Sequence, residues 1–509
     1  MTDRMARCAD GPALTGHRAA AHRAAPRRRP PSDLTLRPGP AGSASIVGNT
    51  IRSMALHVWN TLTRSKQPFD PLEPPRVRLF VCGPTVYDRS HLGHAKTYTQ
   101  FDLVARYLRY RGYEVEYVQN ITDIDDKIIA RANERGISSD ELAQEFEARF
   151  FADMETLGNT SVTRYARASD FIPQIVSQVE RLLEGGHAYE LPDGFYFDIE
   201  SFPEYGKLAR RTVLAREDAV SRVDENPLKR NPGDFALWKR RKPGEPYWIT
   251  PIGEGRPGWH IEDTAITESL LGAQYDVHGG AVDLIFPHHE AEIAQMESIS
   301  GRAPLAKYWL HTGFLNVREE KMSKSLGNFF AIAETVKTVE PRVLRFFLVS
   351  HHYRSPIDFD PAQFEAAAAA LRRIDNFYLR APGDADAELG PEARAARDAF
   401  IEALDDDFDT PKGIAVLYEF IREQHRSADP APGSRRLLEE LDQVLGVLPA
   451  LATSEEGSDD WIAYEVERRE HLRRERRFAE ADEIREQLQR MDVLLEDTPN
   501  GVRWYRASV

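Results

Sequence analysis

Two cysteines in 509 residues, Cys8 and Cys82, are too few for a disulfide framework, and they predict a protein of a reducing, cytoplasmic compartment. Long apolar runs are also missing. No uncharged stretch approaches the roughly 20 residues that cross a bilayer, which argues against a transmembrane segment or a membrane partner. Basic charge is in deficit, 66 Lys and Arg against 81 Asp and Glu. The resulting net charge of -15 excludes indiscriminate nucleic-acid binding through a basic surface, but not a nucleic acid held on a local patch. Internal repeats are absent. The composition, 41% hydrophobic and 29% charged, is that of globular domains, and the length calls for three or four of them.

Residues 1–53 depart from this composition. Nine arginines against three aspartates make the segment net +6 and leave -21 for the rest of the chain. It is rich in Ala, Pro and Ser and has no apolar period, which predicts a disordered N-terminal extension. The Arg-rich, acid-poor character resembles a transit peptide, although its prolines interrupt an amphipathic helix. The alternative, which we favour, is translation from Met54, directly before the strand-like ALHVWNTLT.

From residue 54 to about 137, strand-like and helical segments alternate, which predicts a parallel sheet with helices on its faces. A capping sequence, Ser138-Ser139-Asp140-Glu141, then opens a helix through Phe151. Residues from about 160 to 250 read as an insertion, with GHAYELPDGFYFDI as a hairpin and KRNPGDFALWKRRKPGEPYW as a basic, aromatic loop. The β and α pattern returns with a strand over 276–286 and a helix over 288–297. The predicted fold is α/β: a Rossmann-like catalytic domain over 54–341, an α-helical bundle over 342–452, and a small C-terminal α+β domain over 461–509. The last joins a charged helix to a hairpin with an Asn500-Gly501 turn signal.

One stretch organises the chemistry: RLFVCGPTVYDRSHLGH, residues 78–94. Residues 78–82 read as a short buried strand ended by Gly83-Pro84. HLGH then opens a helix with apolar positions at Phe101, Val104, Ala105 and Leu108. His91, Gly93 and His94 at a helix entrance suit a polyphosphate, because first-turn amides are unpaired and imidazoles stabilise charge on phosphate oxygens. Ordinary capping is the plain alternative. Far downstream, Lys321-Met322-Ser323-Lys324-Ser325 sets two lysines among small hydroxyl residues, a loop that can neutralise a leaving triphosphate.

HLGH and KMSKS together, with VCGPTVYD, NITDIDDKI, PGWHIED, FPHHEAEIAQ and KMSKSLGN in this order, resemble the cysteinyl-tRNA synthetases, a class I aminoacyl-tRNA synthetase family. The resemblance runs from Met54 to the C-terminus. It implies ATP-dependent ligation of L-cysteine to tRNA(Cys) through a cysteinyl adenylate, with His91, His94, Lys321 and Lys324 acting on phosphates that carry Mg²⁺. It further implies ATP contacts at Gly93, Gly280, Asp283 and Lys324, and an amino-acid pocket of Thr122, Trp259 and His278. Basic and aromatic residues near the C-terminus, among them Arg473, Arg474, Arg476, Arg477, Phe478, Arg503, Trp504 and Tyr505, suit contact with tRNA. A solvated helix face is the other reading of that cluster.

The residues themselves point to a metal. Cys82 is a soft thiolate candidate, and His288 and Glu292 stand four apart, a spacing that puts two ligands on one helical face. The resemblance implies a zinc ion there that binds the substrate thiol and so separates cysteine from serine. It also exposes a departure: the family commonly has a second cysteine where this chain has Asp263. Either Asp263 completes a Cys, Asp, His, Glu set, or three protein ligands hold the ion, and His289 is a neighbour that orients the site. Two rivals remain. One is a ligase that acylates an amino sugar with cysteinyl adenylate, which the long region after Arg342 opposes. The other is a catalytically silent nucleotide- or tRNA-binding protein, which the intact loops and ligand set oppose.

Overall fold

The N-terminal alternation resolves into strands buried on both faces. The computed structural model describes residues 55–211, 226–317, 320–321, 329–381, 388–426, 430–448, 459–474, 476–491, 493–498 and 501–506, so the extension over 1–53 lies outside the described residues. A short antiparallel hairpin, β1 (His57–Asn60) and β2 (Ser65–Pro68), comes first. There follow β3 (Arg76–Val81), α1 (Leu92–Tyr110), β4 (Glu114–Ile121), α2 (Asp126–Arg135), α3 (Ser139–Thr156), β5 (Arg164–Arg167) and α4 (Ile172–Glu184). The predicted cap of α3 is present: the Ser138 hydroxyl accepts from the Glu141 amide at 3.1 Å.

A second group of strands comprises β6 (Ala188–Leu191), β7 (Gly194–Phe197), β8 (Phe235–Arg240), β9 (Trp248–Thr250) and β10 (Gly253–Pro257). They form an antiparallel sheet in the order β6-β7-β8-β10-β9. The expected hairpin is β6–β7. The segment read as a basic, aromatic loop is corrected here: its FALWKR is β8, a central strand whose apolar half is buried while its basic end pairs with acids, such as Lys239 with Asp126 at 2.6 Å.

After α5 (Ile261–Leu270) come β11 (Tyr275–Ala281), α6 (Glu290–Ser300), β12 (Ala306–Thr312), β13 (Leu315–Val317) and β14 (Glu320–Lys321). The strand expected over 276–286 stops at Ala281. A 3-10 turn and a π turn, Ile285–His289, intervene before the regular helix. The main sheet has the order β12-β11-β3-β4-β5 and is parallel throughout. The chain steps from β3 outward to β4 and β5, then returns to add β11 and β12 on the other side of β3. Such a reversal leaves a crevice beyond the carboxyl ends of the two strands flanking it. Cys82 sits there, one residue past β3, its amide donating to Gly279 of β11 at 3.0 Å.

The rest is mainly helical: α7 (Ile332–Thr335), α8 (Pro341–Val349), β15 (Ile357–Phe359), α9 (Ala362–Arg380), α10 (Pro391–Leu404), α11 (Thr410–Gln424), α12 (Ser434–Leu445), α13 (Asp459–Arg474) and α14 (Phe478–Arg490). It ends in the hairpin β16 (Val493–Thr498) and β17 (Gly501–Arg506). A buried ion pair ties α1 to α8: Arg345 Nη2 lies 2.7 Å from Asp102 Oδ2, and Arg345 Nε donates to the Leu445 carbonyl of α12 at 2.8 Å. Among the described residues, no helix is long and apolar enough to cross a membrane.

Candidate active site

A cleft of about 410 Å³ opens at the switch point. Its lining brings together His91, Gly93 and His94 of the HLGH turn, Cys82, Asp263 and His288, and Thr122, Trp259 and Asp283.

His91 caps α1. Its Nδ1 accepts from the amides of Gly93 at 3.0 Å and His94 at 3.3 Å, and the Leu92 amide donates to the Phe330 carbonyl at 3.0 Å. The sequence-based expectation of unpaired first-turn amides is therefore corrected: the side chain already satisfies them. The cap has another consequence. An Nδ1 that accepts carries no proton, so the neutral ring holds its proton on Nε2. His94 Nδ1 accepts from the His91 amide at 3.4 Å, which assigns it the same tautomer. The two rings stack with centroids 3.9 Å apart, and burial followed by the neighbouring His91 drives His94 well below the usual imidazole range. The caps thus leave the ring protons of this turn on the Nε2 atoms.

Cys82, Asp263, His288 and Glu292 place one ligand atom each within 4.8 Å of one another, all buried. His288 Nε2 lies 2.9 Å from Asp263 Oδ2 and 3.2 Å from Glu292 Oε1, and Cys82 Sγ is 3.8 Å from Glu292 Oε1. A second set shares two members: Cys82 and Glu292 with His278 and His289. Burial, then Glu292 and Asp263, pushes the Cys82 thiol up, and burial, then Asp263, pushes the Glu292 carboxyl up. Asp263 Oδ1 and Glu292 Oε2 are buried without a hydrogen-bond partner. Orphaned carboxylate oxygens converging with a thiol and an imidazole are costly unless a cation neutralises them, so the residues fit a divalent metal.

The other expected residues fall in different places. Trp259, 36% exposed, stands over His288 with ring centroids 4.5 Å apart. The Thr122 hydroxyl donates to Glu262 Oε1. His278 is fully buried behind Cys82, its Nε2 3.4 Å from the sulfur, and does not line the cleft. Gly280 does not line it either: a Cβ there would lie 2.8 Å from His289 Cε1, so the glycine makes room for that ring. Lys321 closes β14 and its side chain is not described, while Lys324 lies outside the described residues.

Sequence reasoning missed Glu262 and His311. Glu262 is buried, with Oε2 unpartnered, and burial and then Asp263 push its carboxyl well up. Its signal was adjacency to Asp263. His311 shares a face of β12 with Trp309, an alternation that was visible but had no partner to give it meaning.

Residues 68–369 match the family described as tRNA synthetases class I (C) catalytic domain, and residues 399–449 match a DALR domain. A cysteine–tRNA ligase of Carboxydothermus hydrogenoformans is 45% identical over 466 residues, covering 89% of this chain and all of the relative. One from Symbiobacterium thermophilum is 44% identical over 473 residues with the same coverage. Among solved structures, Mycobacterium tuberculosis methionyl-tRNA synthetase in complex with methionyl-adenylate aligns with a TM-score of 0.54 at 15% identity, covering 77% of this chain and 93% of that one. A LeuRS–tRNA–LeuAMS ternary complex from Agrobacterium radiobacter K84 aligns at 0.55 and 12% identity, covering 76% and 86%. At such identities the two structures speak to the fold alone.

Proposed function

The chain belongs to the cysteine–tRNA ligases of the class I tRNA synthetases, and from that premise we propose how its own residues select and activate the amino acid. It joins L-cysteine to tRNA(Cys) at the expense of ATP. A carboxylate oxygen of cysteine attacks the α-phosphorus, the bond to the bridging oxygen breaks, and pyrophosphate leaves. A hydroxyl of the terminal adenosine then attacks the carbonyl of the adenylate, and AMP departs. No side chain acts as a nucleophile, so rate enhancement comes from positioning and charge stabilisation.

The observation that carries the reading is the buried thiol Cys82, grouped with Asp263, His288 and Glu292 at a cleft that the HLGH turn also lines. Those four residues would hold a zinc ion, and it would supply a Lewis acid that prefers thiolate to hydroxyl, separating cysteine from serine where hydrogen bonding alone discriminates poorly. Thr122 and Trp259 hold the body of the amino acid, and His278 supports Cys82 from behind. His91 and His94 donate Nε2–H to the phosphates of ATP, which enters with Mg²⁺. Asp283 takes ribose hydroxyls, and Gly93 lets the nucleotide approach the helix start. Lys321 and Lys324 stabilise the departing pyrophosphate.

Cysteine-dependent exchange of ATP and pyrophosphate tests this. Lys324→Ala is expected to slow exchange at least a hundredfold while cysteine binding stays within about threefold, since charge stabilisation of this kind is worth roughly 10²–10³. Equal loss in both would remove the lysine from its assigned role. Exchange that proceeds equally with serine would overturn the thiol-capture reading.

A further inference from the structure

Behind the candidate metal ligands, two chains of side chains converge on one sulfur. His278 Nε2 lies 3.4 Å and His289 Nε2 3.2 Å from Cys82 Sγ. On its far side, His278 Nδ1 is 2.7 Å from the Tyr275 hydroxyl. His289 Nδ1 is 2.8 Å from His311 Nε2, and His311 Nδ1 is 2.8 Å from Thr61 Oγ1. Thr61 follows β1, outside the catalytic-domain match, and its amide donates to Trp309 of β12 at 2.9 Å, so the backbone holds it in register with His311.

The direction of every hydrogen bond follows from the sulfur. A Cys82 that holds a metal is a thiolate and only accepts. Both Nε2 atoms facing it must then carry protons, which leaves both Nδ1 atoms bare if the rings are neutral. Their Nδ1 atoms face a hydroxyl and a second imidazole, with no carboxylate of the described residues within hydrogen-bond distance to hold a second proton there, so the rings are neutral. Tyr275 therefore donates to His278. In the longer chain His311 donates from Nε2 to His289, and Thr61 donates its hydroxyl proton to His311 Nδ1.

We propose that Thr61, acting through His311 and His289, is a positioning residue for the Cys82 thiolate: its hydroxyl fixes both imidazoles as Nε2–H tautomers and so aims an N–H donor at the sulfur, as Tyr275 does through His278. Two N–H bonds withdraw electron density from the thiolate, weaken its donation to the metal, and leave the ion more receptive to the incoming substrate thiol. Such outer partners commonly fix tautomer and tune affinity. The proposal rests on the metal reading given above.

The test is the sulfur-to-cobalt charge-transfer band of the cobalt-substituted holoenzyme, which reports the energy of the sulfur lone pair. Thr61→Val preserves shape and the amide bond to Trp309 but cannot donate. It is expected to shift the band to longer wavelength and to change retention of the metal against a chelator by about tenfold. Thr61→Ser restores the hydroxyl and is expected to give the wild-type band. A Thr61→Val band that superimposes on wild type overturns the relay, as does a Thr61→Ser band displaced as far as that of valine. Ring ¹⁵N shifts of the zinc-loaded wild type give the same answer without substitution: bare Nδ1 atoms in His289 and His311 are expected, and a bare His289 Nε2 overturns the relay. Absence of any sulfur-to-cobalt band in the wild type overturns the metal reading and the relay with it, whereas loss of the shift alone leaves the metal reading standing.

Discussion

At the scale of single residues, Asp263 is where this chain differs most from its expected pattern. As a ligand in place of a thiolate, an aspartate would keep the negative charge of the set but make it harder, with Cys82 as its one sulfur. Asp263→Cys is therefore expected to raise zinc affinity and to lower affinity for manganese, and Asp263→Ala to lower zinc affinity by at least the 10–100-fold typical of lost supporting ligands. Chelator competition measures both. The protons on the site set its pH dependence. Because burial and neighbouring acids raise Cys82 and Glu292, metal binding must displace protons from them, and affinity is expected to fall as pH falls. A titration of metal affinity that is flat between pH 6 and 8 would remove those two groups as ligands.

Among the elements, α1 and α8 are tied together by the buried ion pair of Asp102 and Arg345. Burial alone pushes the Asp102 carboxyl up, but Arg106 and Arg345 outweigh it and hold the group at about 2. A folded pKa below the unfolded value means that this stability, about 2 kcal/mol, is present above pH 4 and lost as pH falls through about 2. Asp102→Asn leaves the Arg345 charge buried without its partner and is expected to cost about 3–5 kcal/mol in urea unfolding. Gly83 is another element-level constraint, since a Cβ there would lie 1.7 Å from the Asn120 carbonyl oxygen, so the β3 and β4 ends can meet only at glycine. The sequence made much of this legible. Alternating buried runs marked β3, α1 and β4, and the Ser138 cap marked α3. It hid β8, because Lys239, Arg240 and Arg241 read as loop until their acidic partners were brought in from distant positions. It also hid the turn before α6, which lets His288 reach Glu292 from outside a regular helix. Cys82, His288 and Glu292 were readable as ligand types, whereas the Thr61 and His311 chain was not. Those residues meet only through register across β1 and β12.

Over the whole molecule, selection of the amino acid and recognition of the tRNA are assigned to different regions. Residues 462–504 form a small hydrophobic cluster of their own around Ile462, Ile484 and Leu488, joined to the helices before it by Arg435 between the rings of Tyr378 and Tyr464. Truncation after residue 458 is expected to leave cysteine-dependent pyrophosphate exchange within about threefold of wild type while charging of tRNA falls at least tenfold, because that cluster carries the basic and aromatic residues suited to unpaired bases. Equal loss of both reactions would show that the terminal region supports the fold instead. The central claim is that Cys82, Asp263, His288 and Glu292 would together hold a metal ion able to bind the substrate thiol. Zinc-edge X-ray absorption of the loaded enzyme, without and with cysteine, measures the number of sulfur ligands. The account predicts one sulfur in the enzyme alone and two when cysteine is bound, with no change on adding serine; a sulfur count that stays the same with cysteine would contradict it.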